Sequence, residues 1–156
     1  MPHPIAIATA LLLLAAPQSS VPYVDPTTGM DHVSGGVTRA FDKPEHNWLP
    51  GHRGVDLALQ VGEPVVAAAD GTVAFTGTIA GTPVISLDHA DAIRTTYQPV
   101  HARVRQGDAV TRGQTIGTLG HPTDTPGLHW GAKVGEEYLN PLDLLQAPTI
   151  RLKAPK

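Results

Sequence analysis

Short runs of apolar and β-branched residues, separated by glycine, proline or aspartate, make up most of this chain. They recur at intervals of roughly 8–12 residues, which is typical of strands in an antiparallel assembly. Only NPLDLLQA near the C-terminal end favours a helical turn or two, with Asn140 as N-cap and Pro141 at the first helical position. Strands are predicted within residues 36–41, 53–59, 63–69, 71–77, 82–88, 92–100, 113–120 and 128–134. The pattern therefore predicts an all-β fold, an antiparallel β-sheet or hybrid sandwich.

Composition narrows the class of protein. The 156 residues are 41% hydrophobic but only 4% aromatic, with 16 Gly and 15 Pro, which favours many short strands around a single core. The net charge is −3 and the Lys and Arg residues are scattered, so we expect no nucleic-acid partner. The chain has no Cys, which excludes both disulfides and a lipid-modified thiol.

The N-terminus carries an apolar run from Ile5 to Ala16, followed by small and polar residues. This run is short for a membrane span and is typical of a secretory signal peptide. We therefore expect an extracytoplasmic, secreted protein, which contacts a membrane only if the segment is retained. The predicted organisation is a signal peptide at 1–20, a Pro- and Gly-rich linker at 21–36, one domain at 37–147 and a tail at 148–156.

The segment GHRGVDLA offers a candidate metal site. His52 and Asp56 are an imidazole and a carboxylate, which are ligand types that zinc accepts. Four residues of straight strand would hold their backbones about 13 Å apart, so the chain has to bend between them. Gly54 is the predicted place for that bend, because glycine tolerates the dihedrals of a bulge or a tight turn.

Four blocks of sequence give this pair a context: GHRGVDLALQVGEPVVAAADGTVAFTG, VISLDHADAIRTTYQPV, VRQGDAVTRGQTIGTLG and GLHWGAKVGEEYLNPLDLL. From about Val37 to Leu145 they resemble, in order, the LytM/lysostaphin family of zinc metallopeptidases that act on bacterial peptidoglycan. The resemblance implies that His52 and Asp56 are metal ligands. It also implies a catalytic His in a Y-x-H motif, and an H-x-H motif whose first His is catalytic and whose second His binds zinc.

The chain departs from this pattern at two positions. Tyr97 matches the tyrosine of Y-x-H, but Pro99 stands where the catalytic His is expected. His129 matches the first His of H-x-H and is the residual catalytic candidate, whereas Gly131 replaces the zinc-binding His. The sequence thus predicts a degenerate member in which zinc is bound weakly or not at all. In an alternative arrangement, His129 joins His52 and Asp56 as the third ligand.

The resemblance implies a domain that is associated with the bacterial cell wall if it is not released, and that binds peptidoglycan or regulates a cell-wall hydrolase. The alternative is an active zinc metalloendopeptidase that cleaves peptidoglycan cross-links with a rebuilt metal site. The segment VRQGDAVTRGQTIG also resembles biotinyl and lipoyl carrier domains, but a carrier needs an exposed Lys at a hairpin tip, and none lies between Lys43 and Lys133.

Other candidate residues have simpler interpretations. Trp130 alternates with His129 along a predicted strand and should pack in the core. His89 is interpreted as a structural residue at a strand end, and His101 as an exposed loop residue, with replacement of a missing ligand as the alternative.

Overall fold

The computed structural model describes residues 21–122 and 125–145, so the predicted signal peptide and tail lie outside the described residues. Eleven strands and one short 3-10 helix make up this part of the chain. They are β1 (Val37–Arg39), β2 (Gly54–Leu57), β3 (Pro64–Val66), β4 (Gly71–Ile79), β5 (Thr82–Asp88), β6 (Arg94–Gln98), β7 (Val100–Ala102), β8 (Ala109–Val110), β9 (Thr115–Leu119), β10 (Leu128–Val134), β11 (Glu137–Leu139) and the helix Pro141–Leu145.

The strands form two antiparallel sheets. The larger sheet has eight strands in the order β1-β2-β10-β6-β5-β4-β8, with β11 also paired to β10, and the smaller sheet has the order β3-β9-β7. Each of the eight predicted segments contains a strand, and the all-β prediction is confirmed. Three short strands, β7, β8 and β11, were not predicted separately.

Burial of one face of β10 decides where the candidate site lies. Trp130 is fully buried, pairs in register with the equally buried Tyr97 on β6, and belongs to a core cluster with residues of both sheets. The core position predicted for Trp130 is therefore confirmed. Because side chains alternate along a strand, His129 and Gly131 lie on the opposite face of the large sheet.

Residues 21–36, predicted to be a linker, are in part packed against the domain. Tyr23 is 4% exposed and joins the core cluster, and its hydroxyl donates to the Asp91 carboxylate. The Val24 amide donates to the carbonyl of Ala68 at 2.7 Å, and the Val66 amide donates to the carbonyl of Pro26 at 2.9 Å. The Pro- and Gly-rich composition did not indicate this packing. Because these residues pack with the core, the domain starts before the predicted boundary at Val37.

Pro99 divides the predicted strand 92–100 into β6 and β7, which belong to different sheets. Proline has no amide hydrogen to donate to a ladder, which favours a break there. The prediction for the C-terminal turn is confirmed, because Asn140 Oδ1 accepts from the Leu142 amide at 3.1 Å. Within the described residues, no helix has the length and apolar character needed to cross a membrane.

Candidate metal centre

Three side chains that could hold a metal ion meet on the open face of the large sheet. Asp56 on β2 lies directly opposite His129 on β10 in the strand register. His52 precedes β2 and is fixed by two backbone hydrogen bonds with Asp42, at 2.8 and 2.9 Å. One donor atom from each of His52, Asp56 and His129 lies within 4.8 Å of the others.

One carboxylate oxygen stands between the two imidazoles. Asp56 Oδ1 lies 3.2 Å from His52 Nε2 and 2.9 Å from His129 Nδ1. The two rings are 5.0 Å apart between centroids and inclined at 68°. His52 and Asp56 are buried, whereas 29% of the His129 side chain is exposed. The cluster therefore has one side open to solvent at His129.

The hydrogen bonding of His52 defines which of its nitrogens is available. Its Nδ1 lies 2.9 Å from the carbonyl oxygen of Ala40, which can only accept a hydrogen bond, so Nδ1 carries the hydrogen. In the neutral ring, Nε2 then directs a lone pair at Asp56 Oδ1, which is also an acceptor. A proton or a cation is needed between two such atoms. Two imidazoles and one carboxylate match the donor set of a three-ligand zinc site, so the residues present fit this metal.

The lowered pKa of His129 also agrees with a zinc site. Burial lowers the pKa of its imidazole, and nearby His52 and Arg39 lower it further, while the hydrogen bond to Asp56 opposes the shift. A lowered pKa favours the neutral ring, which is the form that binds metal ions.

Gly54 provides space for the cluster, while the bend that was predicted at this residue occurs at Arg53, just before β2. A Cβ atom at position 54 would lie 2.5 Å from the carbonyl oxygen of Trp130 and 2.8 Å from His129 Nε2. The absent side chain thus allows β10 and the His129 ring to approach β2 closely.

Two residues near the cluster were not predicted from the sequence. Thr125 donates from Oγ1 to Asp56 Oδ2 at 2.7 Å, and Arg39 on β1 lies opposite Asp56 in register. Both line the cavity around the cluster, together with Gln98 and Pro99. Thr125 is 69 positions from Asp56 in sequence and lies in a loop, so neither spacing nor periodicity points to it.

We expect Thr125→Val to lower zinc affinity by about 10–100-fold, the usual cost of losing a partner that orients a metal ligand. Thr125 bonds Oδ2 of Asp56, and so leaves Oδ1 directed at the two histidines. Competition titration with a chromogenic chelator measures the change. Thr125→Ser should retain the affinity, as should Thr82→Val, which alters another threonine of the same cavity. An equal loss in Thr82→Val would contradict the role of Thr125.

The other positions of the family pattern lie apart from the cluster or lack a functional group. Tyr97 is buried, and its hydroxyl accepts from the Ala68 amide at 3.1 Å; burial raises its pKa to about 12. Pro99 lines the cavity but offers no titratable group.

His89 is buried between the Asp70 carbonyl and Thr95 Oγ1, and burial lowers its pKa, in keeping with a structural role. His101 is exposed, as predicted, but it lies on β7 and not in a loop, and it does not line this cavity.

A Cβ atom would fit beside His129 at position 131, where the chain has glycine. A Cβ atom there would have its nearest contacts at 3.5 Å from the Arg53 carbonyl oxygen and 3.9 Å from His129 Nε2, which are ordinary separations. The strand register places Gly131 opposite Gly54, whereas His129 is opposite Asp56.

Comparison with known proteins agrees with this geometry. An uncharacterized protein of Mycobacterium tuberculosis is 50% identical over 125 residues, which cover 75% of this chain and 50% of that protein. Peptidoglycan DD-endopeptidase ShyC of Vibrio cholerae is 34% identical over 122 residues, or 71% of this chain and 27% of that enzyme. The chain spans about half the length of the first of these relatives and less of the second.

The fold matches solved structures, and a family model matches the part of the chain that carries the cluster. The catalytic domain of the antimicrobial peptidase lysostaphin from Staphylococcus simulans is 26% identical with a TM-score of 0.62, covering 72% of this chain and 92% of that domain. Residues 50–141 match the model of peptidase family M23. His52, Asp56 and the strand β10 all fall within that match. The chain therefore belongs to peptidase family M23, with a domain of the LytM/lysostaphin type.

Proposed function

We propose that this protein is an exported zinc-binding domain that holds peptidoglycan peptides and hydrolyses them slowly or not at all. The observation that carries the proposal is the convergence of His52, Asp56 and His129, whose donor atoms lie within 4.8 Å of one another. Members of the family are zinc-dependent, and one relative is a peptidoglycan endopeptidase. The apolar run near the N-terminus supports export.

In this proposal His129 is the third zinc ligand and not a residual catalytic histidine. Its register position opposite Asp56 and the 2.9 Å separation of Nδ1 from Oδ1 support that role. His129 then corresponds to the second His of H-x-H, and Gly127 takes the place of the first. Gly127 has a φ of 99°, and a Cβ atom there would collide with the carbonyl oxygen of Leu57, so a side chain fits poorly at this position.

The described part of the cavity wall offers no free imidazole for proton transfer. Among the described residues that line it, the only histidines are the two proposed ligands, and the other polar side chains are Arg39, Thr82, Gln98 and Thr125. None of these four residues is of a type that commonly serves as a general acid or base. When bound, zinc supplies Lewis-acid chemistry that polarises a carbonyl and activates water. Absence of a general acid or base costs about 10²–10⁴ in rate, so we expect weak hydrolysis.

An active zinc endopeptidase is the second candidate function. The same three donors restore the ligand number of catalytic zinc sites and leave a fourth position open. Arg39 lies opposite Asp56 and lines the cavity, where its charge would stabilise negative charge that develops on a substrate carbonyl.

Three measurements on the purified protein test these functions: zinc content, retention by purified cell-wall sacculi, and digestion of the sacculi. We expect about one zinc per chain, retention by sacculi and digestion that is weak or absent. His129→Ala should lose the zinc, and His101→Ala, which changes an exposed histidine outside the cavity, should keep it. Retained zinc in His129→Ala would return this residue to the catalytic role.

The digestion and retention results separate the candidates. Rapid digestion that chelators and His52→Ala abolish would favour the active peptidase. Failure of the sacculi to retain the protein, together with no stimulation of an added cell-wall amidase, would remove both the binding role and the regulation of a hydrolase.

A further inference from the structure

A second cavity adjoins the metal cluster on the open face of the large sheet. Gln98 and His129, which face each other in register, line both cavities. From there the second cavity extends along β10 past Gly131 to Lys133. Its lining includes Arg53, Arg94 and Lys133, and no carboxylate among the described residues. We call this cavity the cationic groove, defined by these three cations together with Gly131 and Tyr138.

Two of the three cations form no ion pair with any residue that the structure describes. Arg94 donates to both oxygens of Asp88, at 2.7 and 3.0 Å. Lys133 faces Arg94 across the ladder, which places like charges opposite each other. Within 21–122 and 125–145, neither Lys133 nor Arg53 forms an ion pair, and Arg53 donates only to the carbonyls of Asn47 and Leu49. Although the chain has a net charge of −3, this groove contains two cations without an ion pair, and the carboxylates of Asp88 and Glu136 line the adjoining cavity instead.

Tyr138 holds these two cations beside the groove. The Arg53 guanidinium carbon lies 5.7 Å from the centre of the Tyr138 ring, and Lys133 Nζ lies 5.1 Å from it. Contacts of this kind attract a cation weakly and leave its charge intact. The cations are therefore positioned before any ligand arrives, and their charge is available to an anion.

Between His129 and Lys133, the strand β10 presents no side chain to the groove at Gly131. A Cβ atom at Gly131 would meet its nearest neighbour only at 3.5 Å, so this part of the floor is formed by backbone. His129 and Lys133 are four strand residues apart, a distance of about 13 Å. An extended peptide covers that distance with about four residues.

We propose that the cationic groove is a carboxylate subsite, which binds the free carboxylate of an extended peptide whose other end lies at the metal cluster. The inference rests on the proposed function, because it takes a peptide as the ligand. Charge complementarity supports it, as does the continuity of the groove with the cavity around His52, Asp56 and His129. Lys133 is the residue that would contact the carboxylate.

Calorimetric titration with two matched probes tests the subsite. N-acetyl-tetraalanine with a free C-terminal carboxylate should bind about fivefold more tightly than its carboxamide, the upper range for an exposed ion pair. The preference should shrink in 0.5 M salt because of screening. Lys133→Gln should abolish the preference and leave carboxamide binding unchanged. Lys43→Gln, which removes a lysine paired with Glu137 outside the groove, should retain the preference.

Several outcomes would overturn the subsite. These are equal affinity for both probes, no binding of either probe, or an equal loss for both in Lys133→Gln. Self-association that Lys133→Gln abolishes would assign the groove to a second copy of the chain instead. Each titration is repeated with zinc and with a chelator. A carboxylate preference that survives the chelator supports the subsite even if zinc binding fails, whereas zinc binding without the preference removes the subsite alone.

Discussion

Replacing His52 with alanine is expected to lower the affinity for zinc by at least about 100-fold. Loss of a partner that only orients a ligand already costs about 10–100-fold, and His52 Nε2 is one of three donors that the described residues bring to the cluster. The fold should remain intact, because the hydrogen bonds that join His52 to Asp42 use backbone atoms. Competition titration measures the affinity, and circular dichroism checks the fold.

His101→Ala is the matched control for this experiment. His101 is an exposed histidine that the sequence left as a possible replacement ligand, and it lies outside the cavity. Its loss should leave zinc affinity unchanged. Zinc that stays tightly bound in His52→Ala, or that is lost in His101→Ala, would show that the metal is held elsewhere.

Gly54→Ala should destabilise the protein by about 1–3 kcal/mol, the range for inserting a methyl group into a filled space. The new Cβ would lie 2.5 Å from the Trp130 carbonyl oxygen and 2.8 Å from His129 Nε2, so β10 and the imidazole both have to move. Because this displaces a proposed ligand, zinc affinity should fall at least about tenfold. Urea unfolding with chelator present measures the stability, and titration measures the zinc affinity.

Gly131→Ala is the matched control, because Gly131 on β10 pairs with Gly54 in the strand register. A Cβ at position 131 has its nearest contact at 3.5 Å, so Gly131→Ala should change stability and zinc affinity little. If the two variants behave alike, close approach at Gly54 is not what shapes the cluster.

Local signals in the sequence were sufficient for the strands and for part of the cluster. Alternation and turn residues marked eight segments that contain strands, and the sequence placed Trp130 and His129 on opposite faces of one strand. The motif around His52 and Asp56 indicated a pair that the structure brings within 3.2 Å. Their role as zinc ligands stays a prediction.

Contacts between segments that are far apart in the chain could not be predicted from local sequence patterns. Thr125 bonds to Asp56 from 69 positions away in sequence, and Arg39 reaches it only through pairing of an edge strand. The cationic groove depends on Lys133 and Arg53 meeting at Tyr138. The packing of Tyr23 was hidden for another reason: a Pro- and Gly-rich segment can be fixed by a few buried contacts that composition does not reveal.

The packed segment around Val24 also has a consequence for behaviour in concentrated solution. β3 is an edge of the small sheet, and open edges offer unpaired backbone groups to the strands of other molecules. The hydrogen bonds that join Val24 to Ala68 and Val66 to Pro26 occupy backbone groups at the end of β3 and just beyond it. The segment therefore covers part of this edge and opposes aggregation. A shortened chain that starts at Val37 would leave the edge open to pairing with other molecules.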